Sequence, residues 1–346
     1  MALSYSIHFM LNQSAQKILF NRIKELLPAG TNLADAISEV LHVSSDSAYR
    51  RIRGDTPLVL DEAFELCKAY HISLDELLYA QPNTVSFQAV QLNDHYSFED
   101  YLTDICKHLQ QLSLFAEKKI IYLAKDIPIF YYFLFQPLFA FRYFFWMKSI
   151  LQHPAFANRT FSFDVLPPAI EAKGKEILKL YSNIPSIEIW NNESINSIIS
   201  QIEYYRESGY FKSDKDVEML YESVQHTLEH LRRQAEAGCK LMPGQSPALK
   251  QENFQLFQNR LILGDNTILV LQNGNKTLYL NHDVLNYMIT QNEKFCEEVY
   301  QKMQNMMRRA TLLSQVSEKQ RQIFFNGLLR KIPKRQSTVP VNTTKP

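Results

Sequence analysis

The residues AISEVLHVSSDSAYRRIRGD, positions 36–55, decide the fold of the N-terminal part of this chain. The apolar side chains of its first half recur at helical spacing, so the stretch begins inside a helix. Val43 and Ser44 form a turn, and Ser45 is a favoured N-cap residue for a second helix. Gly54 ends that helix, since glycine readily adopts the left-handed conformation of a C-cap. The stretch therefore predicts two helices joined by a short turn.

Further helical patterns flank this pair. The apolar residues of positions 14–28 lie on one helical face, which predicts a first helix. Asn32 is a favoured cap for the helix that enters the quoted stretch. A fourth helix is predicted over LDEAFELCKAYH, positions 60–71, and a fifth over SLDELL, capped by Ser73. Five short helices with loops of a few residues predict a compact all-helical domain.

The third of these helices concentrates positive charge. The chain has 37 basic and 36 acidic residues and a net charge of +1, so it has no general attraction to polyanions. Positions 14–80 contain seven basic and ten acidic residues, yet three of the seven are Arg50, Arg51 and Arg53. Such a cluster is either balanced by neighbouring acids or available to an acidic partner.

The quoted stretch and its neighbouring helices resemble the lambda-repressor-like (Cro/repressor) helix-turn-helix superfamily over residues 14–78. In that family the third helix enters the major groove of DNA, and its outward side chains reach bases and phosphates. The resemblance implies a bacterial transcription regulator that binds double-stranded operator DNA. The implied DNA-binding residues are Ser45, Asp46, Ser47, Tyr49, Arg50, Arg51 and Arg53.

One further expectation accompanies the resemblance. A single helix-turn-helix domain reads only a few base pairs, so we expect a homodimer on two half-sites. The alternative to DNA binding by the arginine cluster is a solvated face on which the arginines pair with Glu39, Asp46 and Asp55. The planar fork of arginine suits guanine edges and phosphates, which favours DNA over this alternative.

The rest of the chain has a different pattern. Three predicted strands, KIIYL, TFSFDVL and SIEIW, are each followed by a helical pattern, which predicts parallel βαβ units. A long charged helix is predicted at about 214–237. The segments FQLFQNRLIL, TILVLQ and KTLYLN then predict an antiparallel meander with a tight turn at Asn273–Gly274. Helices at about 283–308 and 317–331 complete the pattern.

The predicted fold is multi-domain, with a small all-α domain followed by a larger α/β domain that has a mixed sheet. The predicted boundaries are an N-terminal extension at 1–13, the helix-turn-helix domain at 14–80, a linker at 81–97, a sensor and dimerisation domain at 98–332 and a flexible tail at 333–346.

Three residues of the larger domain are candidates for ligand binding. Lys125 and Asp126 follow KIIYL, and Trp190 ends SIEIW. Ligands of open α/β sheets bind at the carboxyl ends of the strands, so a small-molecule effector is expected there. The alternatives are that Asp126 caps the next helix and that Lys125 is a surface lysine.

Residues 127–146, IPIFYYFLFQPLFAFRYFFW, are rich in aromatic side chains. Two prolines and Arg142 disfavour a membrane span, so a buried helix is predicted. The aromatic residues are too many for one helical face, and we expect some of them to face a dimer partner or an apolar ligand cavity. The four cysteines lie far apart, which disfavours a disulfide framework or a zinc site and favours the cytoplasm.

Catalytic motifs are not found in the sequence. It has no glycine-rich phosphate loop, no Gly-x-Ser-x-Gly and no His-Glu-x-x-His, so neither an enzyme nor a cofactor is predicted. Glu222, His226 and His230 have the spacing of metal ligands on one helix, but a solvated charged face is the favoured interpretation. Two alternative functions stay open: a protein-interaction module with an accessory DNA-binding domain, and a DNA-tethered enzyme of unknown reaction.

Overall fold

The computed structural model describes residues 14–28, 30–72, 74, 85–89, 96–247, 252–261, 264–282 and 286–333. Within these ranges the chain forms 12 α-helices and eight strands, so a helical N-terminal region and a mixed sheet with helices are both present. The predicted N-terminal extension, almost all of the predicted fifth helix and almost all of the predicted tail lie outside the described residues.

Four helices make up the N-terminal region: α1 (Ala15–Leu26), α2 (Leu33–Leu41), α3 (Ser45–Arg53) and α4 (Leu60–Tyr70). The predicted cap Asn32 is confirmed, because its side chain accepts a hydrogen bond from the Ala34 N–H at 2.9 Å. The cap of α3 is Ser44 and not Ser45. Ser44 has the extended backbone of an N-cap, and its hydroxyl accepts the Ser47 N–H at 3.3 Å.

The turn between α2 and α3 is stabilised locally. His42 ends α2 in the left-handed region, with φ of 52°, and the Ser38 hydroxyl donates to the Val43 carbonyl at 2.5 Å. Gly54 ends α3 with φ of 88°. The helices pack around one apolar core, whose buried members are Leu19, Phe20, Ile23, Ala34, Ile37, Ala48, Leu66, Cys67 and Ile72.

The strands form one mixed sheet in the order β1-β7-β6-β5-β2-β3-β4-β8. They are β1 (Gln88–Ala89), β2 (Lys118–Ala124), β3 (Ser186–Trp190), β4 (Phe254–Gln258), β5 (Thr267–Gln272), β6 (Asn275–Asn281), β7 (Tyr287–Thr290) and β8 (Thr311–Leu312). The β3–β4 pair is parallel, whereas β4–β8, β5–β6, β6–β7 and β1–β7 are antiparallel. The predicted hairpin turn is confirmed, since Asn273 and Gly274 both have positive φ.

The remaining helices are α5 (Phe98–Ser113), α6 (Ile129–Tyr132), α7 (Gln136–Phe145), α8 (Pro168–Asn183), α9 (Asn196–Glu207), α10 (Asp214–Ala237), α11 (Glu293–Arg309) and α12 (Glu318–Leu329). A π-helical turn, Trp146–Ile150, continues α7. The long charged helix predicted at 214–237 is therefore confirmed as α10.

Three predictions about the extent or pairing of strands and helices are wrong. TFSFDVL is not a strand, because its backbone bonds to a loop and to its own 3₁₀ turn: Phe161 N–H donates to the Tyr210 carbonyl, and Val165 N–H to that of Ser162. FQLFQ leaves the meander, because β4 pairs in parallel with β3. The helix predicted from position 283 begins only at Glu293, because β7 pairs with β6 before it.

The chain divides into two compact units, each built from separate segments. The first unit contains Met1–His95, Gln110–Ile121 and Thr267–Asn305, and the second contains Tyr96–Leu109, Tyr122–Asn266 and Met306–Pro346. The domain boundaries predicted from the sequence stay a prediction.

The aromatic segment, residues 130–146, forms the core of the second unit. Of its aromatic side chains, only Phe135 and Phe145 are more than marginally exposed. Phe141 contacts the rings of Phe161 and Tyr205 edge-on. Packing inside the unit covers nine of the eleven rings, and the expectation that some of this series faces a dimer partner or a ligand cavity stays a prediction. No helix among the described residues combines the length and apolar composition needed to cross a membrane.

Candidate nucleic-acid interface

Helix α3 presents most of the predicted DNA-binding side chains on one face. Those that are exposed to solvent are Ser45, Asp46, Tyr49, Arg50 and Arg53. Their spacing places them within less than half of the helix circumference. Ala48 is fully buried on the opposite side and anchors the helix to the core, with Ile52 packed beside it. Ser47 is half-buried at the edge of the exposed face.

Arg51 holds α3 against α4 and does not project outward as the sequence suggested. Its Nη2 lies 2.6 Å from Oε1 of Glu62, and its Nε donates to Oε2 of the same carboxylate at 3.0 Å. Its Nη1 also donates to the Ser47 hydroxyl at 2.5 Å. The side chains of the pair are 15% and 19% exposed, so this bidentate contact is largely screened from water.

The charges of this pair stabilise each other. The hydrogen bond to Glu62 raises the pKa of Arg51, and the same hydrogen bond lowers the pKa of Glu62. Both groups are therefore charged at neutral pH. Because Arg51 is paired with Glu62, its positive charge is not available on α3 to a ligand.

The other two arginines of the cluster differ from Arg51. Arg53 pairs with Asp55 through an Nε–Oδ2 distance of 3.0 Å, and both side chains are more than half exposed. An exposed pair of this kind contributes little and can exchange for another anion. Arg50 is exposed and makes no ion pair with any of the described residues. Of the acids weighed in the solvated-face alternative, Asp55 alone pairs with this cluster in the described structure.

Tyr49 is connected to the start of α2. Its ring is 46% exposed, and its hydroxyl accepts a hydrogen bond from Nδ2 of Asn32 at 3.2 Å. The contact orients the ring on the exposed α3 face. Asn32 and Glu62 are thus residues of the site that sequence reasoning missed, because each lies on another helix and no local pattern connects it to α3.

The candidate ligand residues lie in different environments. Lys125 is exposed and pairs with Asp265 at 2.8 Å, and Asp126 accepts a hydrogen bond from the Ser197 hydroxyl. The backbone N–H groups of Lys125 and Asp126 both donate to Oδ1 of Asn266. Trp190 is 1% exposed, so its ring is closed to a ligand from solvent. The ligand site predicted at Lys125, Asp126 and Trp190 stays a prediction.

The Trp190 indole belongs to a buried polar network centred on Glu188. This carboxylate accepts hydrogen bonds from the Tyr131 hydroxyl at 2.5 Å, the Tyr181 hydroxyl at 2.6 Å and Trp190 Nε1 at 2.8 Å. Burial is the largest influence and raises the pKa of Glu188, while the donors and the charge of Lys240 oppose it. Because all three donors bond to one buried carboxylate on β3, the network holds this strand in place.

The two histidines of α10 are in contrasting positions. His226 is exposed, whereas His230 is buried and its Nε2 lies 2.8 Å from the Leu241 carbonyl. Burial lowers the pKa of His230 to about 4, so the ring is neutral at pH 7. Among the described residues, no group of three or more histidine, cysteine or acidic side chains is arranged to hold a metal ion.

No protein-family model, curated protein or solved structure matches this chain. The function is therefore inferred from the residues and their geometry.

Proposed function

We propose that this chain is a bacterial, cytoplasmic transcription regulator that binds double-stranded DNA through a lambda-repressor-like helix-turn-helix formed by α2 and α3. The observation that carries the proposal is the exposed face of α3, on which Arg50 has no ion partner among the described residues. An effector-sensing role for the rest of the chain stays a prediction.

The dimensions of α3 suit the major groove. An α-helix with its side chains is about 10–12 Å across, and the major groove of B-DNA is about 12 Å wide, so a helix of nine residues such as α3 can lie in the groove. The buried anchor Ala48 and the Arg51–Glu62 pair hold the helix while its other face stays free for a groove. In helix-turn-helix proteins the recognition helix lies in the major groove and its side chains contact base edges.

The exposed side chains have complementary roles in such a complex. Arg50 can donate two hydrogen bonds to O6 and N7 of guanine, or to a phosphate. Asp46 can accept from N4 of cytosine, but it would repel a phosphate, which favours a position over base edges. The hydroxyls of Ser45 and Ser47 can bond to bases or phosphates. Tyr49, oriented by Asn32, adds an aromatic ring to the face.

The charge of the region predicts the balance between specific and non-specific binding. Residues 14–80 have a net charge of −3, and Arg51 is committed to Glu62. Few cations are left to release counterions from the DNA backbone, so the dependence of affinity on salt should be shallow. Sequence-specific contacts would then contribute most of the affinity.

The experiment that tests this function is selection of bound sequences from random duplex DNA by the full chain. We expect enrichment of one motif made of two half-sites about one or more helical turns apart. The Tyr49→Ala/Arg50→Ala double variant alters only exposed positions of α3 and serves as the control, which should enrich no motif. Equal recovery of all sequences by the unsubstituted chain would contradict the proposal.

A further inference from the structure

The start of α4 exposes large apolar side chains to solvent. Val59, Leu60 and Phe64 are 58%, 75% and 61% exposed. Leu60 and Phe64 are four residues apart, so they are adjacent on one face of α4. We call the surface formed by these three residues the α4 stripe. Contiguous exposed apolar side chains of this size are typical of an interaction surface.

Charged residues of both signs continue and flank the stripe. Lys68 follows Phe64 at helical spacing, and Asp61 lies seven residues before Lys68, on the same flank. Both side chains are exposed, and neither forms an ion pair with another described residue. Seven residues of helix span about 10 Å, so Asp61 and Lys68 of one copy are too far apart to pair with each other.

We propose that the α4 stripe is a contact between two copies of this chain, with the two α4 helices packed antiparallel about a two-fold axis near Phe64. Reversal of one helix brings Asp61 beside the partner's Lys68 at both ends. Phe64 then lies against the partner's Phe64, and Leu60 against the aliphatic stem of the partner's Lys68. Each acid gains a base, and the apolar side chains are covered.

The charge pattern favours a second copy over a different protein. An isologous interface requires the same surface to complement itself, and an acid and a base placed symmetrically about an apolar centre satisfy that requirement. The stripe has only three large apolar side chains. They can bury less area than the roughly 800 Å² per partner of a standard interface. The contact is therefore a weak one, formed at high protein concentration or when two copies are held close together.

Disulfide trapping tests the proposal directly. All four native cysteines are buried, so a cysteine introduced at position 64 is the reactive thiol of the chain. Under mild oxidation, the full-length Phe64→Cys variant should form a covalent dimer at least tenfold faster than Leu114→Cys. Leu114 is 70% exposed but lies outside α4, so it reports random collision. Equal rates for the two variants would overturn the proposal.

Charge exchange tests the antiparallel register. In the Phe64→Cys background, Asp61→Lys or Lys68→Asp alone should slow trapping severalfold, because like charges then face each other. The two changes together restore opposite charges and should restore the rate. A double variant that stays as slow as the single ones would refute this register. The trapping is done without DNA, so its failure would leave the proposed DNA binding untouched, and the reverse also holds.

Discussion

The aromatic segment of the second unit and the helices α3 and α4 of the first unit place their large side chains in opposite ways. Residues 130–146 contain eleven aromatic rings, of which nine are buried. Helices α3 and α4, with the N-cap of α4, have far fewer large apolar residues, yet they expose Tyr49, Val59, Leu60 and Phe64. The segment rich in aromatic residues therefore forms a core, whereas the stretch with fewer large apolar residues exposes several of them to solvent.

The sharpest test of this contrast compares two phenylalanines. Phe141 is fully buried against Phe161 and Tyr205, and replacing it by alanine should cost about 3–5 kcal/mol of unfolding free energy. Phe64→Ala should change stability by no more than about 0.5 kcal/mol, since the ring is exposed. Urea denaturation of the two variants measures both values. Similar costs at the two positions would remove the contrast.

Two histidines of α10, one buried and one exposed, should differ in their effect on the pH dependence of stability. The pKa of buried His230 is about 4, below the value of about 6.5 for an unfolded chain, so the neutral ring stabilises the fold above pH 6.5. This contribution should be lost as the pH falls from 6.5 to 4, at a cost of up to about 3 kcal/mol. Thermal melting across this range measures the loss.

The controls for the histidine test are on the same helix. His230→Gln keeps an amide that can donate to the Leu241 carbonyl, and it should remove the part of the pH dependence between 4 and 6.5 that His230 contributes. His226→Gln, one turn earlier and exposed, should leave the dependence unchanged. Equal effects of the two substitutions would contradict the assignment of a buried, neutral His230.

Two glycines test how tightly the aromatic segment is packed. A Cβ atom on Gly174 of α8 would lie 2.5 Å from Cε1 of Phe139, so Gly174→Ala should cost about 1–3 kcal/mol. A Cβ atom on Gly327 of α12 meets nothing within 4 Å, and Gly327→Ala should stabilise the helix by up to about 1 kcal/mol. Denaturation midpoints compare the two. A neutral Gly174→Ala would show a looser core than the one described.

The smallest expected effect on stability concerns the arginines of α3. Arg51→Ala leaves Glu62 without its bidentate partner and should cost about 1 kcal/mol at pH 7. Arg50→Ala should leave stability within about 0.5 kcal/mol of the unsubstituted chain, because Arg50 is exposed and makes no ion pair with the described residues. A double-mutant cycle of Arg51→Ala with Glu62→Ala measures the coupling of the pair. A coupling energy of zero would mean that the Arg51–Glu62 pair does not stabilise the fold and that Arg51 behaves as a solvated arginine.

Local structure was largely predictable from the sequence, and tertiary pairing was not. Helix α2, its cap Asn32 and the Asn273–Gly274 turn depend on residues a few positions apart, so patterns revealed them. The partner of Arg51 lies on another helix, and the parallel pairing of β4 with β3 joins strands far apart in the chain. Such contacts are set by the packing of whole elements, which leaves no local signature. The exposed face of α3 was predictable, but which of its arginines are paired with an acid was not.

The proposed contact of Arg50 on α3 with DNA is tested most directly by a binding titration. Fluorescence anisotropy with the selected duplex compares the unsubstituted chain, Arg50→Ala and Arg260→Ala at two salt concentrations. Arg260 is an exposed arginine of the second unit, so its loss controls for net charge. We predict that Arg50→Ala weakens specific binding by about 1–3 kcal/mol while Arg260→Ala leaves it unchanged. Equal affinity of Arg50→Ala and the unsubstituted chain at both salt concentrations would contradict the proposed contact.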